Sequence, residues 1–316
     1  MQKAEFLPPS PISTNINYMT ANLTTTKFSQ KELAAPLVKI QPQGSKTPLF
    51  FIHPIGGNVF CYKELAHCLG SDQPFYGLQA PSLFGEYEPH TRIEDMAAHY
   101  LAAISTVQSQ GPYYLGGWSL GSIIAFEMAQ QLQKQGHQVP VLILLDNAAP
   151  TFPSQPIVIQ QNDNSRILAS FAYDLASSAG KNLAVSSEHF QQMQYDEQLQ
   201  YVFEQLRVAN LIPANFSFQN FYLFFQVYQS NLQAVCNYEP QVYTNRMILL
   251  QGRDSNEGCD YPNDPSWGWS QLSSEPVEIH TIPGNHYTML AQPHAQVLAA
   301  QLKMCLNQLE HTLLVK

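Results

Sequence analysis

The chain is poor in charge. Only 12% of its 316 residues are Asp, Glu, Lys or Arg, and 24 acidic residues outnumber 15 basic ones, for a formal net charge of −9. No basic cluster occurs, which excludes the positively charged face that nucleic acid requires. No apolar run approaches the roughly 20 residues that span a bilayer. Residues 1–20 lack the apolar centre of an export signal. A cytoplasmic chain with no nucleic-acid or membrane partner is therefore expected. The five cysteines, Cys61, Cys68, Cys236, Cys259 and Cys305, form no CxxC or CxxH pattern. They read as free thiols in a reducing compartment, with no metal site. No internal repeat is evident.

What is present is apolar mass, 45% of the residues, arranged in short runs. Residues 1–46 are rich in Pro, Ser, Thr, Asn and Gln and read as a flexible tail or linker. From Pro48 the texture changes. Leu49–Ile52, Phe75–Leu78, Tyr113–Leu115, Val139–Leu145, Met247–Leu250 and Val277–Ile282 are strand-like. Most lack polar alternation, as strands buried on both faces of a parallel sheet do. Helical patterns lie between them. Ile93, Met96, Ala97, Tyr100, Leu101 and Ile104 make one apolar stripe behind the capping-box signature Thr91-Arg92-Ile93-Glu94, closed by Gly111. Ile124, Met128 and Leu132 mark a second helix, closed by Gly136, and Ala291–Leu314 a last one. The alternation implies an α/β fold with a mostly parallel central sheet flanked by helices. Residues 47–316 form that domain. It is interrupted at about 150–240 by a helical insertion carrying Phe216, Phe218, Phe221, Tyr222, Phe224, Phe225 and Tyr228. These aromatics either pack the insertion or face a substrate cavity.

Gly117-Trp118-Ser119-Leu120-Gly121 joins a strand directly to a helix. A turn this tight demands small residues two places either side of the serine and leaves its hydroxyl exposed at the carboxyl end of the sheet. A serine hydroxyl is a weak nucleophile and needs a base, with an acid to orient that base. His286, in the loop after the last strand, is placed to be the base; His280, inside that strand, reads as structural. Two acids compete, Asp146 and Asp254, each just beyond a strand's carboxyl end, and spacing does not choose between them. An oxyanion needs two donors: the Leu120 N–H, next to the nucleophile at a helix N-terminus, and the Ile55 N–H in His53-Pro54-Ile55-Gly56-Gly57, with Gly56 as the alternative.

Phe51–Gly57, Gly116–Gly121, Leu144-Leu145-Asp146, Trp267-Gly268-Trp269 and Pro283–His286, all in order, resemble the thioesterase domains that end nonribosomal peptide and polyketide synthetases. The resemblance runs from about residue 38 to 310. It implies an α/β-hydrolase fold, with the insertion as a lid over an acyl pocket. It also implies that the acid is Asp146, on the strand after the nucleophile helix. The expected substrate is an acyl, peptidyl or polyketide chain on the 4′-phosphopantetheine arm of a carrier protein, with no cofactor bound to the enzyme itself. Such domains usually follow a carrier domain, and no carrier motif occurs here, so the partner is expected either from a longer chain or in trans. The rival readings are a carboxylesterase or lipase on oxygen esters, and a non-catalytic binding scaffold. The second would normally lack one of the three residues.

Overall fold

A computed structural model describes residues 35–150, 164–190, 192–255, 261 and 263–314, with side chains to residue 309. Seven strands form one sheet: β1 (Leu37–Gln41), β2 (Leu49–Ile52), β3 (Phe75–Leu78), β4 (Tyr114–Trp118), β5 (Val141–Leu145), β6 (Met247–Gly252) and β7 (Glu278–Ile282). Their order is β1-β3-β2-β4-β5-β6-β7. Every pairing is parallel except the edge pair β1–β3. β1 corrects the expected domain boundary. It lies inside the stretch read as a tail, because its five residues, LVKIQ, sit on the sheet's edge with one fully buried apolar position, Val38. Too little of it is apolar for the run to stand out. Residues 1–34 lie outside the described residues.

β2 to β6 are buried at every position, as their unalternating sequences require. Successive side chains nonetheless serve different cores. Phe50, Ile52, Leu142 and Leu144 face α2 (Ile93–Ser105) and α3 (Leu120–Lys134). Leu49, Phe51, Val141, Ile143 and Leu145 face α1 (Lys63–Leu69) and α7 (His294–Leu314). The α2 stripe is buried as its spacing predicts, apart from the half-buried Leu101. The expected capping box is not formed. Arg92 is the N-cap and offers no side-chain acceptor, while its guanidinium lies 3.3 Å from Glu94. The helix also stops at Ser105, well before Gly111.

Between β5 and β6 the chain leaves the sheet, and its described residues build three α-helices: α4 (Asn164–Ser178), α5 (Tyr195–Val208) and α6 (Phe218–Cys236). The start of the expected insertion, residues 151–163, lies outside the described residues. The three helices share a third core. Phe171 of α4 sits within 5.2–5.9 Å, ring to ring, of Phe221, Phe224, Phe225 and Tyr228 of α6. Phe216 joins that core, and Phe218, 37% exposed, lies at its rim with its ring 5.5 Å from Phe203 and 5.7 Å from Phe221. Most of the aromatic cluster therefore packs the insertion. No helix among the described residues is long and apolar enough to cross a membrane.

Candidate active site

β4 runs into α3 through Ser119 alone. Ser119 has φ 55° and ψ −131°, a left-handed conformation that side chains rarely adopt. Its N–H donates to Leu145 O at 3.0 Å and its carbonyl accepts from Ser122 N–H at 2.9 Å. The flanking glycines are needed for contact with backbone. A Cβ on Gly117 would sit 2.1 Å from the Gly121 carbonyl carbon, and one on Gly121 2.2 Å from Ile52 O. Sequence reasoning expected this crowding at both positions.

The sequence did not reveal Tyr62 as part of this turn. Its hydroxyl is buried between β2 and β4, donates to Ile52 O at 2.5 Å and accepts from Trp118 N–H at 2.8 Å. One side chain from a neighbouring helical turn thus joins the strand ends that carry the serine turn and the glycine loop. Burial pushes the Tyr62 phenol far above its ordinary range, which keeps it a neutral donor.

Asp146 directly follows β5, with φ 48°, and is completely buried. Every contact its carboxylate makes is a donor. Gly252 N–H reaches Oδ1 at 2.5 Å, while Ser255 Oγ and His286 Nδ1 reach Oδ2 at 2.7 and 2.9 Å. A carboxylate only accepts, so the imidazole proton sits on Nδ1 and the lone pair on Nε2. Asp254 is exposed, and its backbone N–H donates to Gly284 O. The structure brings His286 to Asp146, the acid that the resemblance selects.

The His286 loop is shaped by its own sequence. Asn285 Oδ1 accepts from the N–H groups of Tyr287 and Thr288 at 3.1 and 3.0 Å. Gly284 has φ 95°, and a Cβ there would meet His294 Nδ1 at 2.4 Å. The Trp118 ring, beside the serine, packs 4.9 Å from the His286 ring. On the far side of Asp146 the buried Trp269 indole donates to Asn147 O at 2.7 Å, and Ala149 N–H donates to Trp267 O at 2.9 Å. The Trp-Gly-Trp segment therefore holds the chain that leaves the acid.

Leu120, the first residue of α3, offers an N–H that no carbonyl within the helix can take. Ile55 lies in the loop after β2, which runs parallel to β4 with Ile52 opposite Gly117. His53 pins that loop. It is fully buried between Pro54 O at 2.8 Å and Tyr100 Oη at 2.7 Å. A carbonyl can only accept, so Nδ1 carries the proton and Nε2 accepts from the tyrosine. Burial lowers the His53 pKa to about 4. The paired glycines were expected to let backbone approach a substrate. Their missing Cβ atoms also make room for α6: a Cβ on Gly56 would meet the Phe224 ring at 3.3 Å, and one on Gly57 would meet Val227 Cγ1 at 2.7 Å.

A second cluster, Glu278, His280 and Cys305, gathers three potential metal-ligating atoms within 4.8 Å. Its groups already satisfy one another. Arg246 pairs with Glu278, Gln301 donates to His280 Nδ1 at 3.1 Å, and His280 Nε2 meets Glu278 at 2.7 Å. This is a salt-bridged hydrogen-bond network tying β6 to β7.

A serine held in this backbone conformation at the carboxyl edge of a mostly parallel sheet, with an acid-oriented imidazole on the same edge, belongs to the α/β-hydrolase enzymes. Comparison with known proteins narrows the class. Residues 47–304 match the family model for the thioesterase domain, and the chain belongs to that family. The dimodular nonribosomal peptide synthase of Bacillus subtilis is 41% identical over 138 residues, 43% of this chain. Chondramide synthase of Chondromyces crocatus is 27% identical over 86% of it. The chain spans only 6% and 7% of those relatives. Among solved structures, the four-domain nonribosomal peptide synthetase holo-AB3403 aligns over 86% of this chain and 20% of its own, with a TM-score of 0.79 and 29% identity. The Vlm2 thioesterase domain, bound with a dodecadepsipeptide, aligns over 86% and 97% with a TM-score of 0.62 at 22% identity, a likeness of fold.

Proposed function

We propose that the protein releases an acyl or peptidyl chain from the 4′-phosphopantetheine arm of a carrier protein, through an acyl-Ser119 intermediate. The observation that carries this reading is the buried Asp146 carboxylate accepting from His286 Nδ1, which turns the basic Nε2 away from the acid. Nε2 takes the Ser119 hydroxyl proton as Oγ attacks the thioester carbon. The Leu120 and Ile55 N–H groups donate to the oxyanion that forms. When the C–S bond breaks, the imidazolium returns that proton to the departing pantetheine sulfur. The acyl chain now sits on Ser119. Water, or an amine or hydroxyl within the chain, gives its proton to His286 and attacks the ester carbon. Oγ leaves with that proton, and the product is an acid or a ring. No cofactor takes part. The inserted helices cover the acyl chain as a lid, and the carrier, in cis or in trans, is the macromolecular partner.

The test is intact-protein mass after mixing with an acyl-pantetheine thioester, for wild type and Ser119→Ala, with a matched oxygen ester alongside. An acyl adduct on wild type alone, with faster thiol release than alcohol release, is expected. Adduct formation on Ser119→Ala, or turnover confined to the oxygen ester, would overturn the proposal. Analysis of the product as acid or ring identifies the second nucleophile.

A further inference from the structure

The insertion carries a carboxylate that the chemistry above does not use. Asp174, on α4, accepts from Tyr228 Oη of α6 at 2.6 Å through Oδ2 and from Tyr287 Oη at 2.7 Å through Oδ1. Tyr287 is the neighbour of His286, and its ring stands perpendicular to the imidazole at 5.2 Å. A side chain of the insertion therefore holds the loop that carries the base. The contact bridges 113 positions of sequence.

Resting on the reading above, the geometry points to Asp174 as a positioning residue for His286. It fixes the imidazole's wall through Tyr287 and supplies a second negative charge, besides Asp146, that favours the imidazolium formed at each proton transfer. Asp174 has two hydroxyl donors on its oxygens and no cation bonded to it among the described residues. Burial raises its pKa overall, and the two hydroxyls and the charge of His286 only partly oppose that rise. That charge coupling is mutual: what the imidazolium does for the carboxylate, the carboxylate does for the imidazolium. Among the described residues the titratable groups facing His286 include Asp146, just after β5, Asp174 from α4 and Tyr287 from its own loop. Those facing Asp174 are Tyr228, Tyr287 and His286. Asp146 orients the ring by direct contact. Asp174 acts from the insertion, so the proton transfer depends on the insertion being docked.

The experiment is the pH dependence of Ser119 inactivation by a fluorophosphonate probe, on the full chain, for wild type, Asp174→Asn and Tyr287→Phe, with melting temperatures for each. Removing the charge should move the midpoint of the acid limb down by about half a pH unit to one unit, the scale of a nearby carboxylate in a partly screened site. Tyr287→Phe keeps the charge and removes the tie. It should lower the maximal inactivation rate about ten-fold while leaving the midpoint within about 0.2 unit. An Asp174→Asn midpoint equal to wild type, whatever its maximal rate, makes Asp174 a structural residue of the insertion and overturns the inference. If Asp174→Asn does not fold, an unchanged maximal rate for Tyr287→Phe overturns it. Failure of the probe to label wild type at Ser119 refutes the underlying reaction instead, and is seen before any variant is compared.

Discussion

Replacing Asp146 with asparagine tests the proposed chemistry most sharply, because the surroundings dictate where the new amide must point. Three donors converge on the carboxylate: Gly252 N–H on one oxygen, Ser255 Oγ and His286 Nδ1 on the other. Asparagine has one oxygen and one NH2. Gly252 N–H is backbone at the end of β6 and cannot turn away, so the amide oxygen must face it. The NH2 then faces His286 and Ser255. The serine hydroxyl can rotate, but the imidazole can meet a donor only by moving its proton to Nε2. That removes the lone pair that should accept the Ser119 proton. The expected loss in turnover is a factor of about 10⁴, as found when the matching aspartate of a serine protease is changed the same way, equivalent to about 5.5 kcal/mol in the barrier. Stability should fall less, by about 1–3 kcal/mol, since the donors stay partly satisfied. Thiol release from an acyl-pantetheine thioester measures the first number, and urea unfolding the second. A loss in turnover below ten-fold would refute the reasoning, as would an equal loss on Asp254→Asn.

Three further outcomes follow from the same geometry. Ser119→Ala and Ser119→Gly should both lose turnover by about 10⁴ to 10⁶, yet the glycine variant should be about 1 kcal/mol more stable, since φ 55° strains any residue with a Cβ; paired thermal melts decide this. Gly117→Ala should cost about 3 kcal/mol, because the new methyl meets fixed backbone at Gly121, and a denaturation midpoint close to wild type would contradict it. On acidification His53 should destabilise the fold. The unfolded chain takes up its proton below about pH 6.5, while the buried ring resists until about pH 4. Stability therefore drops through that window by about 3 kcal/mol. His53→Gln should unfold with a flatter dependence on pH between about 7 and 4.

Much of the fold could be read along the chain because the signals were local. Leu49–Ile52 and Phe75–Leu78 form strands with the bounds their apolar runs suggest, and α2 buries the residues whose spacing predicted it. β1 escaped because an edge strand needs few buried side chains. The capping box at Thr91 failed because the helix started one residue later than the motif requires. The glycine pair at 56 and 57 also lets the insertion's helix α6 pack closely against the loop, a contact that nothing in the local sequence announces.

The sequence by itself determined the serine turn. The clash that requires glycine at 117 and 121 arises within a strand, one residue and a helix, and local sterics suffice to specify it. It also placed His286 in the loop after the last strand. It left two acids open, because Asp146 and Asp254 both follow a strand and differ only in what surrounds them. Tertiary structure gives them different surroundings: one is buried under three converging donors from the end of β6, the loop after it and the loop after β7, the other is exposed. Tyr62, Asp174 and Tyr228 were likewise out of reach. Each contacts groups from 10 to 113 positions away through a hydroxyl or a carboxylate. Such contacts leave no periodicity in the chain, because they depend on which elements pack side by side rather than on which residues follow one another.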